Sequence, residues 1–264
     1  MKIYVSADME GIAGIMLREQ LFRGEPLYQE ARQLLTKEVN VIVQSLLEAG
    51  VREIVVKDAH ASGFNFLPDR LHPGAMYCGG ATRINERFPG LDNTFDGALL
   101  IGYHARGLTG KAVRDHTFTS QGWQSLELNG QPIGEIGIDA LLFGLYGVPV
   151  LLVTGDDKTC REAVQQLGTV LTYETKTGTG RHSALYKAPE RVYAELPAVI
   201  AESLQSVGRA LPYRVEGPYA LRKRFLSTDQ ADSQVYDGIH SLREDGVTAL
   251  YQDTDLMRLF MRAI

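Results

Sequence analysis

Gly97-Ala98-Leu99-Leu100-Ile101-Gly102-Tyr103 runs without a single charged residue and ends at His104. A β-strand needs this continuous apolar character, rather than alternation, when both faces of its sheet are covered, as in a parallel sheet between helices. Two earlier stretches also read as strands. Ile3 to Ala7 is a short apolar run that stops at Asp8, and Val51 to Lys57 is the next strand and stops at Asp58. Between them, Leu27, Ala31, Leu34, Leu35, Ile42, Leu46 and Leu47 fall largely on one helical stripe within 25–49, and Gly50 supplies the stop.

Downstream of His116, Ser125-Leu126-Glu127-Leu128, Asn129-Gly130 and Gln131-Pro132-Ile133 read as a hairpin with a two-residue turn. Residues 136–146 then read as a helix, 148–154 as a buried strand, 159–167 as a helix and 170–175 as a strand. Residues 189–207 and 254–264 have helical spacing, with an irregular, strand-bearing stretch between them. Alternating βα units with an inserted hairpin predict an α/β fold: a mostly parallel sheet with flanking helices, organised as two interleaved α/β lobes. No Pro/Gly/Ser linker divides the chain, so residues 1–264 are expected to form one catalytic unit.

With 264 residues, 44% of them hydrophobic, the chain can bury a sizeable core. A net charge of -5 argues against nucleic acid or an anionic membrane as partner, and the basic cluster Arg222-Lys223-Arg224 is short. No apolar run approaches the roughly 20 residues that cross a bilayer. Ile136 to Val153 comes nearest, but Asp139, several glycines and Pro149 interrupt it. The two cysteines, Cys78 and Cys160, are too few for a disulfide framework and too far apart for a metal knuckle. The start, Met1 to Asp8, has no signal-peptide pattern, and a cytoplasmic location is expected.

The chemistry gathers where the predicted strands stop. The first delivers Asp8 and Glu10, the second Asp58 and His60, the third His104. In an open α/β sheet the carboxyl ends of the strands form the ligand crevice, so groups remote in sequence meet there. Any one of these residues would serve equally well as a helix cap or a loop anchor. Three consecutive strand ends offering carboxylate and imidazole together point to a metal site of the kind zinc accepts when thiolates are absent. Gly11 and the Gly134-Glu135-Ile136-Gly137 run suit a crowded site. Gly107 to Ala112 lacks the spacing of a phosphate-binding loop.

Ser6-Ala7-Asp8-Met9-Glu10-Gly11 is similar to the SxDxEG signature of the zinc-dependent D-aminopeptidases of bacterial dipeptide-transport operons. Lys57-Asp58-Ala59-His60, Gly97 to Arg106, Gly134-Glu135-Ile136-Gly137 and Gly155-Asp156-Asp157 resemble segments of that family in the same order. The resemblance implies two zinc ions per subunit held by Asp8, Glu10, His60, His104 and Glu135, with Asp8 bridging. It places the family's catalytic histidine on His116, in Asp115-His116-Thr117. It further implies removal of N-terminal, D-configured amino acids from small peptides or amino-acid amides, and a homo-oligomer of ring form such as a decamer.

Two other readings share these residues. One keeps the dimetal centre but cleaves a phosphoester or non-peptide amide, and Arg106 is the basic residue nearest the predicted ligands in sequence. The other is a non-catalytic peptide- or metal-binding accessory protein. Among remaining candidates, His72 before Pro73 belongs to a turn, His182 to a surface loop or the substrate entrance, and His240 to no chemistry. Asp58, Asp156 and Asp157 are expected to orient a ligand or cap a helix.

Overall fold

A computed structural model describes residues 1–264. The chain runs β1 (Lys2–Ala7), α1 (Tyr28–Glu48), β2 (Glu53–Asp58), β3 (Met76–Cys78) and β4 (Gly97–Ile101). It continues through β5 (Trp123–Leu128), β6 (Gln131–Ile133), α2 (Glu135–Leu145), β7 (Val150–Asp156), α3 (Asp157–Leu167), β8 (Leu171–Gly180) and β9 (Ser183–Tyr186). The last part adds α4 (Pro189–Leu204), β10 (Tyr219–Phe225), α5 (Thr228–Asp232), β11 (Ser241–Arg243), β12 (Thr248–Asp253) and α6 (Leu256–Ala263).

Seven strands form one sheet in the order β3-β2-β1-β4-β7-β8-β9, parallel throughout except for the β8–β9 hairpin. Its strands alternate between two cores, as the period of two requires. Ile3, Val5, Leu99 and Ile101 face a core with Leu35, Val39 and Ile42 of α1 and Leu196 and Ile200 of α4. Tyr4, Ala98 and Leu100 face the other, which Ile136, Ala140 and Phe143 of α2 share with the second sheet. Both faces are covered, which is why β4 needs an unbroken apolar sequence.

The second sheet, β11-β12-β10-β5-β6, is antiparallel. It joins the expected hairpin to strands from the stretch that reads as irregular in sequence. Asn129 (φ 50°) and Gly130 (φ 76°) both sit in the left-handed region that the two-residue turn demands. The chain thus visits the first sheet, the second, the first again and the second again.

Several boundaries differ from expectation, three of them for clear local reasons. α1 starts at Tyr28 rather than near Glu25, because Pro26 disfavours a helical residue before it and donates no N–H. β4 ends at Ile101, two residues early, since Gly102 turns the chain with φ 68°. β8 runs past the expected 175 to Gly180 and folds back as β9, so the Gly-rich stretch 177–180 beside His182 is strand and not loop.

Strand order decides where the site lies. From β1 the chain goes outward to β2 and β3, then crosses back over β1 to β4 and β7. The switch point falls between β1 and β4, and the loops after these strands open a crevice there. A side chain on Gly11 would collide with the Tyr103 carbonyl oxygen, and one on Gly102 with the Asp8 carbonyl oxygen. Glycine at both positions lets the two loops cross in contact, and the Gly11 N–H donates to the Gly102 oxygen at 2.7 Å.

Candidate metal centre

Each residue of the predicted set comes from a strand end or a helix start at this crevice. Asp8 and Glu10 follow β1, His60 follows β2, and His104 follows β4. Glu135 is the first residue of α2, where the positive end of the helix dipole favours an ionised carboxylate. All five are buried. The structure brings them together.

His60 Nδ1 lies 3.1 Å from both Asp8 Oδ1 and Glu10 Oε2. His104 Nε2 lies 3.4 Å from Asp8 Oδ2 and 3.1 Å from Glu135 Oε1. The two oxygens of Asp8 therefore face different imidazoles, the disposition of a carboxylate shared between two sites. The ligand atoms of Asp8, Glu10 and His104 fall within 4.8 Å of one another, as do those of His104, His116 and Glu135. Two atoms bound to one zinc at about 2.1 Å and a tetrahedral angle stand about 3.4 Å apart, so these separations suit shared cations.

The far nitrogens complete the picture. His60 Nε2 donates to the Leu21 carbonyl oxygen at 2.9 Å, His104 Nδ1 to that of Ala105 at 3.0 Å, and His116 Nδ1 to that of Arg114 at 2.8 Å. Each imidazole thus has one nitrogen proton held by backbone and turns its other nitrogen to the carboxylates, the orientation found in metal-ligating histidines. His104 Nε2 and Glu10 Oε2 are buried without a hydrogen-bond partner, although each has an oppositely charged group within 3.1 Å. Such atoms point past one another toward a common centre, and the donor set fits a pair of divalent cations.

Among themselves these groups polarise strongly. Burial raises Asp8, and Glu10 beside it adds to this, so its carboxyl reaches about 7. Burial would also raise Glu135, but the charge and hydrogen bonding of His104, helped by His116 and Arg87, bring it down to about 2. His104 goes the other way: burial lowers it, yet Glu135 and Asp8 outweigh burial and lift it to about 10. His116 is pushed down to about 4 by burial and by the adjoining His104.

Other loops hold the ligands in place. The Phe118 N–H donates to Glu135 Oε1 at 2.7 Å, and Arg87 Nη2 stands 3.4 Å from Glu135 Oε2. Arg87 is itself fixed by a two-pronged pair with buried Asp139. Buried Lys176 on β8 donates to the carbonyl oxygens of Glu10 and Ile12, each at 2.7 Å, and to that of Ile15, clamping the loop that carries Glu10. Sequence reading passes over Arg87 and Lys176. Strand alternation from Tyr173 and Thr175 puts Lys176 on the exposed face with Glu174, and only a register shift in β8 turns it inward, while Arg87 follows a single short turn of helix, so neither leaves a periodic signal.

The remaining candidates fall as follows. Asp156 caps α3, accepting from the Lys158 and Thr159 N–H groups. Asp58 accepts from Asn65 Nδ2 at 2.8 Å, and Asn65 Nδ2 also donates to the His60 carbonyl oxygen at 2.7 Å, so Asp58 steadies the His60 loop and does not touch the ring. His72 accepts from the Gly74 N–H within its own turn. His182 is exposed in the β8–β9 turn, and Cys78 and Cys160 are unpaired.

The centre opens into a cavity of about 560 Å³, within the range that holds a small ligand. Its wall carries Arg18, Arg23, Arg87 and Arg114. Arg106, the basic residue singled out in the sequence, pairs instead with Glu162 and lines a different cleft.

An α/β frame that gathers carboxylates and imidazoles over one cavity defines a class, the metal-dependent hydrolases. Residues 1–263 match the family model described as D-aminopeptidase, peptidase M55, and the chain belongs to that family. It is 31% identical over 261 residues to the D-aminopeptidase of Bacillus subtilis (strain 168), covering 98% of this chain and 94% of the relative. Its fold superposes with a TM-score of 0.92 on the solved Zn-dependent D-aminopeptidase DppA from Bacillus subtilis, described as a self-compartmentalizing protease. That match is 30% identical and covers 100% of this chain and 95% of the other.

Proposed function

We propose that this protein is a dinuclear zinc aminopeptidase that removes N-terminal D-amino acids from small peptides or amino-acid amides. The observation that carries the reading is the convergence of three carboxylates and two imidazoles whose outer nitrogens are already bonded to backbone. Asp8, Glu10, His60, His104 and Glu135 would hold the two ions, with Asp8 between them. Bound there, zinc supplies a water acidified toward neutrality and a polarised substrate carbonyl.

The chain's own part in proton movement falls to His116. Its Nδ1 proton is held by the Arg114 carbonyl oxygen, and its Nε2, 3.8 Å from Glu135 Oε1, faces the cavity. A ring pushed down to about 4 is neutral near pH 7, so Nε2 starts as an acceptor. It takes a proton during attack and returns it to the leaving amine. Arg87 and the Phe118 N–H keep the Glu135 carboxylate from rotating meanwhile.

Support for substrate, metal and assembly comes from the relatives: the solved one is zinc-dependent, acts as a D-aminopeptidase and is self-compartmentalizing. We extend the last property to a ring-like homo-oligomer, a decamer for instance, that admits small peptides and excludes folded proteins. A cytoplasmic location is supported by two unpaired cysteines. No helix is long and apolar enough to cross a membrane.

Metal quantification beside a panel of D- and L-aminoacyl amides and a generic phosphodiester tests the whole reading. The expected result is two zinc ions per chain and hydrolysis of the D-amides. The arginine-rich wall gives the phosphoester alternative its own footing, and turnover of the phosphodiester alone would select it. Sedimentation at the mass of a single chain would remove the ring.

A further inference from the structure

We propose that Arg114 is a carboxylate-binding residue that gives preference to substrates bearing a free carboxylate beyond the bond to be cleaved. The word substrate rests on the aminopeptidase reading; the anion site does not. Arg114 lines the cavity of the candidate centre and is only 6% exposed. Its Nε is buried without a partner, and its side chain enters no ion pair or hydrogen bond with the protein.

The neighbouring arginines make the contrast. Arg87 is paired with Asp139, Arg18 with Glu25 and Arg181 with Asp115. Arg23 is exposed at the rim. Arg114 combines burial with an unused guanidinium. A buried cation with no ion-pair partner is costly in a folded chain, and its position is costly twice over, because its backbone lies in the left-handed region at φ 54°.

The backbone there is also pinned. The Arg114 N–H donates to the Arg181 carbonyl oxygen at 3.0 Å, and the Arg114 oxygen accepts from His116 Nδ1 at 2.8 Å. The Arg114 backbone is thereby tied to the residue that handles the proton. A planar fork of donors matches a carboxylate in two-point fashion. Arg18 and Arg181 add positive potential beside it, and Glu10 and Asp115 are the acidic groups it faces. In a dipeptide the only anionic group is the C-terminal carboxylate, one residue beyond the scissile bond. An acidic side chain on that second residue carries the same chemistry.

The test compares D-alanyl-D-alanine, its C-terminal amide and D-alanyl-D-glutamic acid α-amide on the zinc-loaded wild type, Arg114→Gln and Arg114→Lys. The free dipeptide is expected to exceed its amide about tenfold or more in kcat/KM, through KM, with Arg114→Gln erasing the difference and Arg114→Lys keeping part of it. If the glutamyl α-amide matches the free dipeptide, the carboxylate recognised is not confined to the main chain. Calorimetric binding of a reduced dipeptide, with CH2–NH in place of the scissile amide, as acid and as amide, gives the same comparison without turnover. Binding that discriminates acid from amide only in the wild type, with no peptide hydrolysed, sinks the aminopeptidase reading and leaves the carboxylate site standing. Equal handling of acid and amide by the wild type, or an equal loss on both in Arg114→Gln, overturns the proposal.

Discussion

The imidazoles of His104 and His116 lie nearly parallel, 13° apart, with ring centroids 3.9 Å from one another. At that distance the two rings cannot both be cationic at small cost, and the nearby carboxylates settle which one is. His104 faces Asp8 and Glu135 directly and rises to about 10, while burial and its charged neighbour press His116 to about 4. One ring is tuned to be held by carboxylates or metal, the other to stay neutral and exchange protons.

His116→Ala is therefore expected to retain both zinc ions and to lose about 10²–10⁴-fold in turnover, the usual worth of a positioned acid or base. Metal analysis and kcat on a D-aminoacyl amide check it together. Because His116 also lies within ligand reach of His104 and Glu135, loss of one zinc per chain in this variant would make it a ligand.

Arg87→Met is predicted to uncouple stability from metal affinity. Asp139 has no side-chain exposure, and Arg87 Nη2 bonds its Oδ2 at 2.8 Å while standing 3.4 Å from Glu135 Oε2. Removing the guanidinium leaves a buried carboxylate unpaired, at about 3–5 kcal/mol of stability, and frees Glu135 to reorient, at about 10–100-fold in zinc affinity. Adding Asp139→Asn should restore part of the stability and none of the affinity. Denaturant titration and competitive zinc binding on both variants separate the two effects, and affinity restored alongside stability would remove Arg87's role toward Glu135.

Strand ends were legible in the sequence because β1 and β4 are buried on both faces, which leaves a nearly apolar run before the first acid or imidazole, and β2 keeps an apolar Ile54-Val55-Val56 centre before Lys57 and Asp58. Asp8, His60 and His104 follow from that reading and from the crossing at β1 and β4. The five-stranded sheet was not legible as one sheet: β5 and β6 are separated from β10, β11 and β12 by nearly a third of the chain, and pairing across such a gap has no local signal. Arg87 and Arg114 escaped for a related reason. Neither lies in a periodic element, and what distinguishes Arg114, burial without a partner, exists only in three dimensions.

Glu38→Gln should stabilise the protein above neutral pH. Glu38 is wholly buried in α1, accepts the Ala13 N–H at 3.1 Å and is raised by burial from 4.5 to about 7 despite that bond and the charge of Lys176. A carboxyl with a raised folded pKa binds more protons folded than unfolded, so stability falls as pH rises between those two values. Glutamine keeps the acceptor and drops the charge, for a gain of about 1–3 kcal/mol at pH 8 and almost none at pH 4. Thermal melts at both pH values measure it; an equal shift at each would point to packing instead.

Zinc uptake by the chelator-treated protein is expected to expel protons. Burial lowers His60 and His104, but the facing carboxylates more than reverse it, lifting His104 to about 10 and His60 well above its ordinary value. Both rings carry a second proton at pH 7 without the metal, and the nitrogen facing the carboxylates must give it up to bind zinc. Uptake should release about two protons per chain, with a further fraction from Asp8, whose carboxyl sits at about 7. The unloaded protein binds more protons than the loaded one, so affinity climbs with pH and flattens only as pH passes the raised imidazole values. Calorimetric titrations in two buffers of different ionisation enthalpy count the protons. A count of zero would mean neutral imidazoles before zinc arrives, and the carboxylates would then not be close enough to charge them.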